Sequence, residues 1–413
     1  MVTWRDAIDW RSLCNRNAVN SVSHTPSQLS ARSQQNFLLA AAFIMPLTFS
    51  VWQALLNNFV VEKAAFTGAE IGMLQSLREV PGFLAFTAVY VLLVIREQRF
   101  ALMSLLVMSV GVALTPFFPT VYGLYTTTVV MSLGFHYFET INKSLTLQWI
   151  PKQEAPHFMG RAMAVKAAGA LLAYSGIWIL MEWVGVGYTG MYLLAGAIGV
   201  VITLLLWARF PQFPEGAAQH KKLVFRQRYW LYYALTFLGG ARRQIFMVFA
   251  GFMMVEKFGY SAADISLLYL VNYLFNLFFA PRIGAWVGRA GERVALRVEY
   301  VGLIMVFTGY AFVENANVAA GLYVIDHLFF ALSIAINTYF QKIADPKDIA
   351  ATSSVSFTIN HIAAVFIPAL LGLLWLSSPA AVFLIGAGIA VLSLALSNLI
   401  PDSPVAGQET RLA

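Results

Sequence analysis

Inside otherwise apolar sequence, His136, Glu139 and Lys143 recur at intervals of three and four residues, and Lys166 follows after a short polar turn. On an α-helix that spacing sets the first three side chains on one face. Charges are costly inside a bilayer, and where they are kept they mark function by default. Glu139 lies roughly 15 Å from the nearer end of its segment, at about 1.5 Å per residue, too deep to reach the interface easily. A carboxylate at that depth suits binding and releasing a proton, and the alternative is a structural ion pair with Lys143. Arg242 and Arg243 stand about 18 Å inside another apolar segment. A guanidinium there matches a carboxylate, phosphate or sulfonate through its planar fork. Consecutive helical residues point about 100° apart, so at most one of the two faces a cavity squarely. The other then needs a carboxylate partner on a neighbouring helix.

Further polar groups sit in apolar surroundings. Asn360 and His361 stand together, with Pro368 allowing a kink beyond them. Asp326 and His327 form either a titratable site or a helix-packing pair. Asn142 and Asn337 are paired by the repeat described below. Arg78 and Glu79 read as a gate or cavity-edge pair.

These residues recur by duplication. Ile141-Asn142, Pro151-Lys152 and Lys166 match Ile336-Asn337, Pro346-Lys347 and His361 at a constant offset of 195. A second block, from 59 to 77, matches at an offset of 194, taking Glu62 to Glu256, Lys63 to Lys257 and Glu70 to Asp264. On that offset Arg78 and Glu79 correspond to Asn272 and Tyr273.

The elements that must position these groups are membrane helices. The 413 residues are 59% hydrophobic and 11% charged, with mean hydropathy +0.69, against about 25% charged in a soluble domain. The apolar residues run in blocks near the roughly 20 residues that span a bilayer, unlike the alternating strands of an outer-membrane barrel. Twelve spans are predicted, at 36–61, 69–94, 100–118, 121–149, 158–183, 188–208, 230–254, 262–287, 297–314, 318–343, 350–376 and 379–400. A basic linker, 209–229, separates two six-helix halves, 35–208 and 230–400, leaving tails at 1–34 and 401–413.

The net charge of +7 is distributed as a topology signal, and no nucleic-acid partner is expected. Arg96, Arg99, Lys152, Lys221, Lys222, Arg226, Arg228, Arg289, Arg293, Arg297 and Lys347 fall on one side, together with both termini. The opposite loops hold Lys63 and Lys257, each beside a glutamate. By the positive-inside rule both termini are cytoplasmic in a multi-pass inner (plasma) membrane protein. The first 34 residues lack a secretory pattern; Trp4, Ile8 and Trp10 form a short interfacial helix or part of a disordered tail. Cys14 is the sole cysteine, so no intrachain disulfide or thiolate cage is possible. There is no Walker, HExxH or GxSxG sequence, so no enzyme activity, cofactor or metal is expected.

Six spans repeated in parallel and joined by a basic loop resemble the major facilitator superfamily (MFS) across about 36–400. The segment Gly284 to Arg293, with Arg289 and Gly291, is similar to the family's gate loop, with Gly288 where an aspartate is usual. In the first half only Arg96, Glu97 and Arg99 remain of that loop. The drug-antiporter Gly-Pro signature in span 5 is replaced near Ala168-Gly169-Ala170. The resemblance implies an all-α fold in which spans 1, 4, 7 and 10 line a central cavity.

On that scaffold the expected substrate residues are Arg242, Arg243, Lys166, Asn142, Asn337, Asn360 and His361. Glu139, His136, Lys143, Asp326 and His327 are expected to couple protons. Arg78, Glu79, Gly284, Arg289, Gly291 and Arg293 are expected at gates. Intramembrane cations outnumber the acids of comparable depth, which favours a small anionic organic solute moved by alternating access as a proton-coupled monomer. The alternatives are proton-driven efflux of amphipathic drugs, a receptor or assembly protein on the same scaffold, and a lipid flippase.

Overall fold

A computed structural model describes residues 26–150, 155–213, 225–345 and 349–412. The amino-terminal stretch through Thr25, Lys221-Lys222 and the Pro151-Lys152 and Pro346-Lys347 match lie outside the described residues.

Twelve helical spans follow in chain order among those residues. Span 1 is Pro26–Ala64; span 2 runs Gly68–Phe83 and continues through Ala85–Thr87 to Ala88–Val91. Spans 3 and 4 are Glu97–Leu114 and Val121–Trp149. Span 5 is Ala155–Ile177 with a π-helical end, Trp178–Trp183, and span 6 is Tyr188–Arg209. Span 7 is Trp230–Gln244, a π-helical turn Ile245–Ala250, then Gly251–Glu256. Spans 8 and 9 are Ala262–Ala290 and Glu292–Phe312. Span 10 is Ala316–Phe330, a tight turn Ala331–Ser333, then Ile334–Ile343. Spans 11 and 12 are Ile349–Trp375 and Pro379–Ser397. Eight of these stretches are long and apolar enough to cross a membrane by length and composition alone. Ala262–Phe275 of span 8 is apolar over a shorter stretch.

Two boundaries differ usefully from the sequence reading. Span 1 begins at Pro26, so residues 26–34 are helix rather than tail. Span 9 begins at Glu292 instead of 297, which places Glu299 two turns inside the helix rather than at its edge.

The duplication is visible in local structure. Thr67 caps span 2 with Glu70 returning the bond, and Ser261 caps span 8 with Asp264 doing the same. Each reciprocal pair satisfies two of the four N–H groups a helix start leaves open. Hydroxyl and acid both fall on the 194-residue offset, so one solution is used twice.

Spans 1–6 pack on one another, as do 7–12, except that span 2 and span 11 each pack more heavily on the other than on any span of their own half; the halves also meet through span 5 on span 8, and span 1 on spans 7 and 8. These meetings lie toward the face opposite the basic loops, called here the outer face. Asn58 donates to the Tyr260 carbonyl at 2.6 Å there. One large apolar core runs through the first half and crosses into the outer part of the second. A separate core around Tyr229, Leu296, Tyr300 and Tyr339 holds the basic end of the second half by itself. The halves are thus fused at the outer end and have separate cores toward the basic end.

Candidate functional site

Two polar constellations occupy the middle of the bundle. The first lies on the outer seam. Span 2 crosses span 11 at backbone distance because the crossing residues are small: a Cβ on Gly72 would strike the Pro368 carbonyl and come within 3.0 Å of Gly372 Cα. Pro368 breaks the span-11 bond ladder, and the adjacent Ala369 N–H donates to Ser76 Oγ at 2.9 Å across the seam.

One turn deeper, Glu79, His136 and His361 converge, all buried. Glu79 Oε1 accepts from Arg78 Nε at 3.1 Å. Its Oε2 faces His361 Nε2 at 3.7 Å and His136 Nε2 at 4.0 Å. The two imidazole rings meet edge to face with centroids 5.4 Å apart. Gly82 makes room for them, since a Cβ there would collide with His361 and lie 2.7 Å from His136 Cε1. His136, expected to couple protons, and His361, expected to bind substrate, therefore meet Arg78 and Glu79 where the halves join.

The three ligating atoms lie within 4.8 Å of one another, a spacing that a metal ion could draw together. The electrostatics oppose it. Glu79 is already shared with the Arg78 guanidinium, and Arg243 is near enough for its charge to act on the group. A divalent cation would add to two neighbouring cations against one carboxylate. The donor set fits a proton better than a metal.

The second constellation lines a cavity of about 370 Å³ within the second half. Arg242, Arg243, Asn337 and Asn360 of the expected substrate residues reach it, with Asp326 of the expected proton-coupling residues, and Glu299 joins them; Lys166, Asn142 and His361 do not line it. Arg242 and Glu299 are 3.6 Å apart with side chains only 4% and 2% exposed. The guanidinium also lies 4.5 Å from the Tyr300 ring centroid. Asp326 is buried within range of both charges. Glu299 Oε2, Asp326 Oδ1 and one terminal nitrogen of Arg242 have no hydrogen-bond partner among the described residues. Two buried acids thus share one cation.

Arg243 points elsewhere. It is exposed to the cavity, lies 5.3 Å from the Phe330 ring centroid, and makes no ion pair among the described residues. The expectation that one arginine faces the cavity while the other takes a carboxylate holds, with Glu299 as the carboxylate. The π-helical turn that follows Gln244 and the tight turn in span 10 break the regular ladder beside this cavity, a common feature of functional sites.

The remaining candidates are spread out. Glu139 pairs with Lys166 at 3.1 Å rather than with Lys143, and both are more than a third exposed. Lys143 is exposed and Asn142 half-buried. His327 packs between Asn272, at 3.0 Å, and the Phe246 ring. In the gate loop, Gly291 has φ +84°, which glycine adopts without strain and which lets span 9 follow span 8 at once. Arg289 bonds back to the Ala285 carbonyl. Nothing lies within 4 Å of a Cβ at Gly284 or Gly288.

The other arginine of that loop finds an acid outside it. Arg293 pairs with Asp402 of the carboxy-terminal segment, which Arg411 also holds at 2.6 Å. That segment docks on the basic end of the second half, where Tyr339 Oη donates to the Glu409 carbonyl at 2.6 Å.

Glu299 and Asp402 were missed at the sequence level. Glu299 sat at the edge of a span drawn five residues short, and Asp402 lay in a stretch read as tail. The lone glutamate after Arg297 was the available signal for the first; nothing local announced the second.

Comparison with solved structures places the same fold elsewhere. A point mutant of the nucleoside transporter NupG superposes with a TM-score of 0.73 at 14% identity, covering 88% of this chain and 98% of that one. A bacterial homologue of the human lysosomal transporter Spinster, inward-facing and unoccupied, gives 0.68 at 13% identity, covering 88% and 96%. A POT family transporter in complex with 5-aminolevulinic acid gives 0.67 at 14% identity, covering 88% and 94%. No curated protein sequence matches the chain. The family model for the Major Facilitator Superfamily matches residues 37–368. With the duplicated six-span halves and the mid-membrane cavity, this match shows that the chain belongs to the Major Facilitator Superfamily of secondary transporters.

Proposed function

We propose that the protein moves a small anionic organic solute across the inner membrane, coupled to protons. The carrying observation is Arg243, a mid-membrane guanidinium exposed to the cavity without a carboxylate partner among the described residues. Its side chain is open to the cavity, and Glu79, a carboxylate whose charge reaches it, is already bonded to Arg78, so the guanidinium is available to an anion. Asn337 and Asn360 line the same cavity and supply neutral donors and acceptors. The solute is a carboxylate, phosphate or sulfonate small enough for about 370 Å³.

Proton coupling is assigned to Asp326 and Glu299. Two buried carboxylates around one guanidinium do not both stay ionised without cost, so the group holds a proton that it can exchange. Glu139 has a partner in Lys166 and partial exposure, and is a weaker candidate for that role. On the charge asymmetry of the loops, the basic face is cytoplasmic, so the halves are closed outside and open inside. The protein is taken to act as a monomer.

The test is a thermal-shift screen of purified protein against anionic metabolites, because binding to the folded state raises apparent stability. A hit should lose about tenfold or more in affinity in Arg243→Lys, since an ammonium cannot reproduce the two-pronged contact. Arg242→Lys should reduce stability instead, through its pair with Glu299. Stabilisation by cationic amphiphiles, with Arg243→Lys unchanged, would discard the anion reading in favour of drug efflux.

A further inference from the structure

We propose that Glu79, His136 and His361 form a proton-operated latch on the outer gate. His361 is the moving contact and Glu79 its partner across the halves.

The argument begins with the tautomer. His361 Nδ1 lies 2.9 Å from the carbonyl of Phe357, one turn earlier in its own helix. A carbonyl only accepts, so Nδ1 carries the ring proton and the neutral imidazole presents a lone pair at Nε2. That lone pair faces Glu79 Oε2 at 3.7 Å. Two acceptors then oppose each other across the seam. When Nε2 takes up a proton, the opposition becomes a charge-assisted hydrogen bond from Nε2–H to the carboxylate, about twice as strong as a neutral one. Span 11 belongs to one half and span 2 to the other, so the bond ties the halves together at the depth where the seam ends. Losing the proton removes the tie and restores the repulsion.

Every neighbouring charge bears on this step. Span 2 contributes Arg78, bonded to Glu79 Oε1, and span 4 contributes His136, 4.0 Å from Oε2. Span 7 contributes Arg243, whose charge acts on Arg78, Glu79 and Tyr273 of span 8. Span 4 and span 5 add Glu139 and Lys166, which neutralise each other at 3.1 Å. Arg78 and Arg243 oppose an imidazolium, and Glu79 favours it. An anion on Arg243 would remove one opposing charge, so solute and proton would promote each other's binding, and by linkage the effect is reciprocal. This last step rests on the anion reading; the latch does not.

The experiment measures the seam directly, with no solute present. Spin labels at Lys63→Cys and Ser377→Cys, both exposed at the outer ends of spans 1 and 11, are placed in a Cys14→Ser background. Inter-label distances are recorded by pulsed electron resonance between pH 8 and pH 5. The closed population is expected to rise several-fold on acidification. His361→Gln and Glu79→Gln should each flatten that response, and His136→Gln should shift it without abolishing it. A wild-type distance distribution that is the same from pH 5 to pH 8 overturns the proposal whether or not any variant folds. So does closure by zinc at pH 8 as complete as closure by acid, which would make the cluster a metal clasp. Arg243→Gln separates the two ideas: it should move the pH response to higher pH, one opposing charge being gone, and lose any effect of an anion. An acid-responsive seam with no anion effect leaves the latch standing and removes the anion reading, whereas a silent seam with anion binding does the reverse.

Discussion

The two seams between the halves are copies of one another and have been built from opposite materials. Span 2 on span 11 is the duplicate of span 8 on span 5. In the first seam the contacts are Gly68, Gly72 and Gly372, with Arg78, Glu79 and His361 at its inner end. In the second, Tyr174 stacks on Tyr269 with centroids 5.1 Å apart and 14° between planes, and Tyr273 lies 5.4 Å away. Where one seam has Glu79 the other has Tyr273, and where one has His361 the other has Lys166. Glycine lets backbones touch and makes the contact all-or-none. Stacked tyrosines instead meet through broad ring faces. The difference teaches that duplication preserves the helices while the chemistry between them is free to divide, one seam acquiring charged and imidazole groups and the other stacked rings.

The comparison breaks most readily at its charged end. Glu79→Ala leaves Arg78 as a buried cation without its partner, which costs about 3–5 kcal/mol; Tyr273→Phe, at the equivalent place, should cost under about 1 kcal/mol. Thermal unfolding in detergent compares the two directly, and equal losses would refute the division of labour. Next in size is Gly72→Val, where the added carbons must displace the Pro368 backbone; overpacking of this kind costs about 1–3 kcal/mol. It should also raise labelling of outer-face cysteines from outside, while Gly176→Val in span 5, with nothing within 4 Å of its Cβ, should change neither.

A finer probe is Tyr174→Phe, which keeps the stack and removes the hydroxyl contacts with Tyr273 and Ser50. Loss of each hydrogen bond is worth about 0.5–1.5 kcal/mol, and the seam should keep its pH response unchanged. The smallest effect is expected for Lys166→Met. Its pair with Glu139 is more than a third exposed on both sides, and such pairs contribute about 0–1 kcal/mol. A large loss there, or loss of pH-driven uptake of an identified solute, would return Glu139 to the centre of coupling.

Much of this was legible along the chain, because it depends on local composition. A helix in a bilayer must satisfy its own backbone hydrogen bonds, so long apolar runs dictate the spans. The offsets of 194 and 195 carry over to paired helix caps at Thr67 and Ser261. Arg243 and Asn360 were legible too, as polar groups that apolar helices would not keep without use. Partnership was not legible. Glu139 stands one helical turn from Lys143, yet its salt bridge is to Lys166 on another span. Arg242 finds Glu299, and His361 finds Glu79, across 57 and 282 positions of chain. Spacing along a helix decides which side chains share a face. Which other helix that face meets, and at what depth, is decided by lateral packing, where a glycine such as Gly82 or a proline such as Pro368 sets the approach. The sequence by itself determined the membrane helices, their duplication and the inventory of buried charge; only the tertiary structure decided which charges neutralise each other and which one faces the cavity without an ion pair among the described residues.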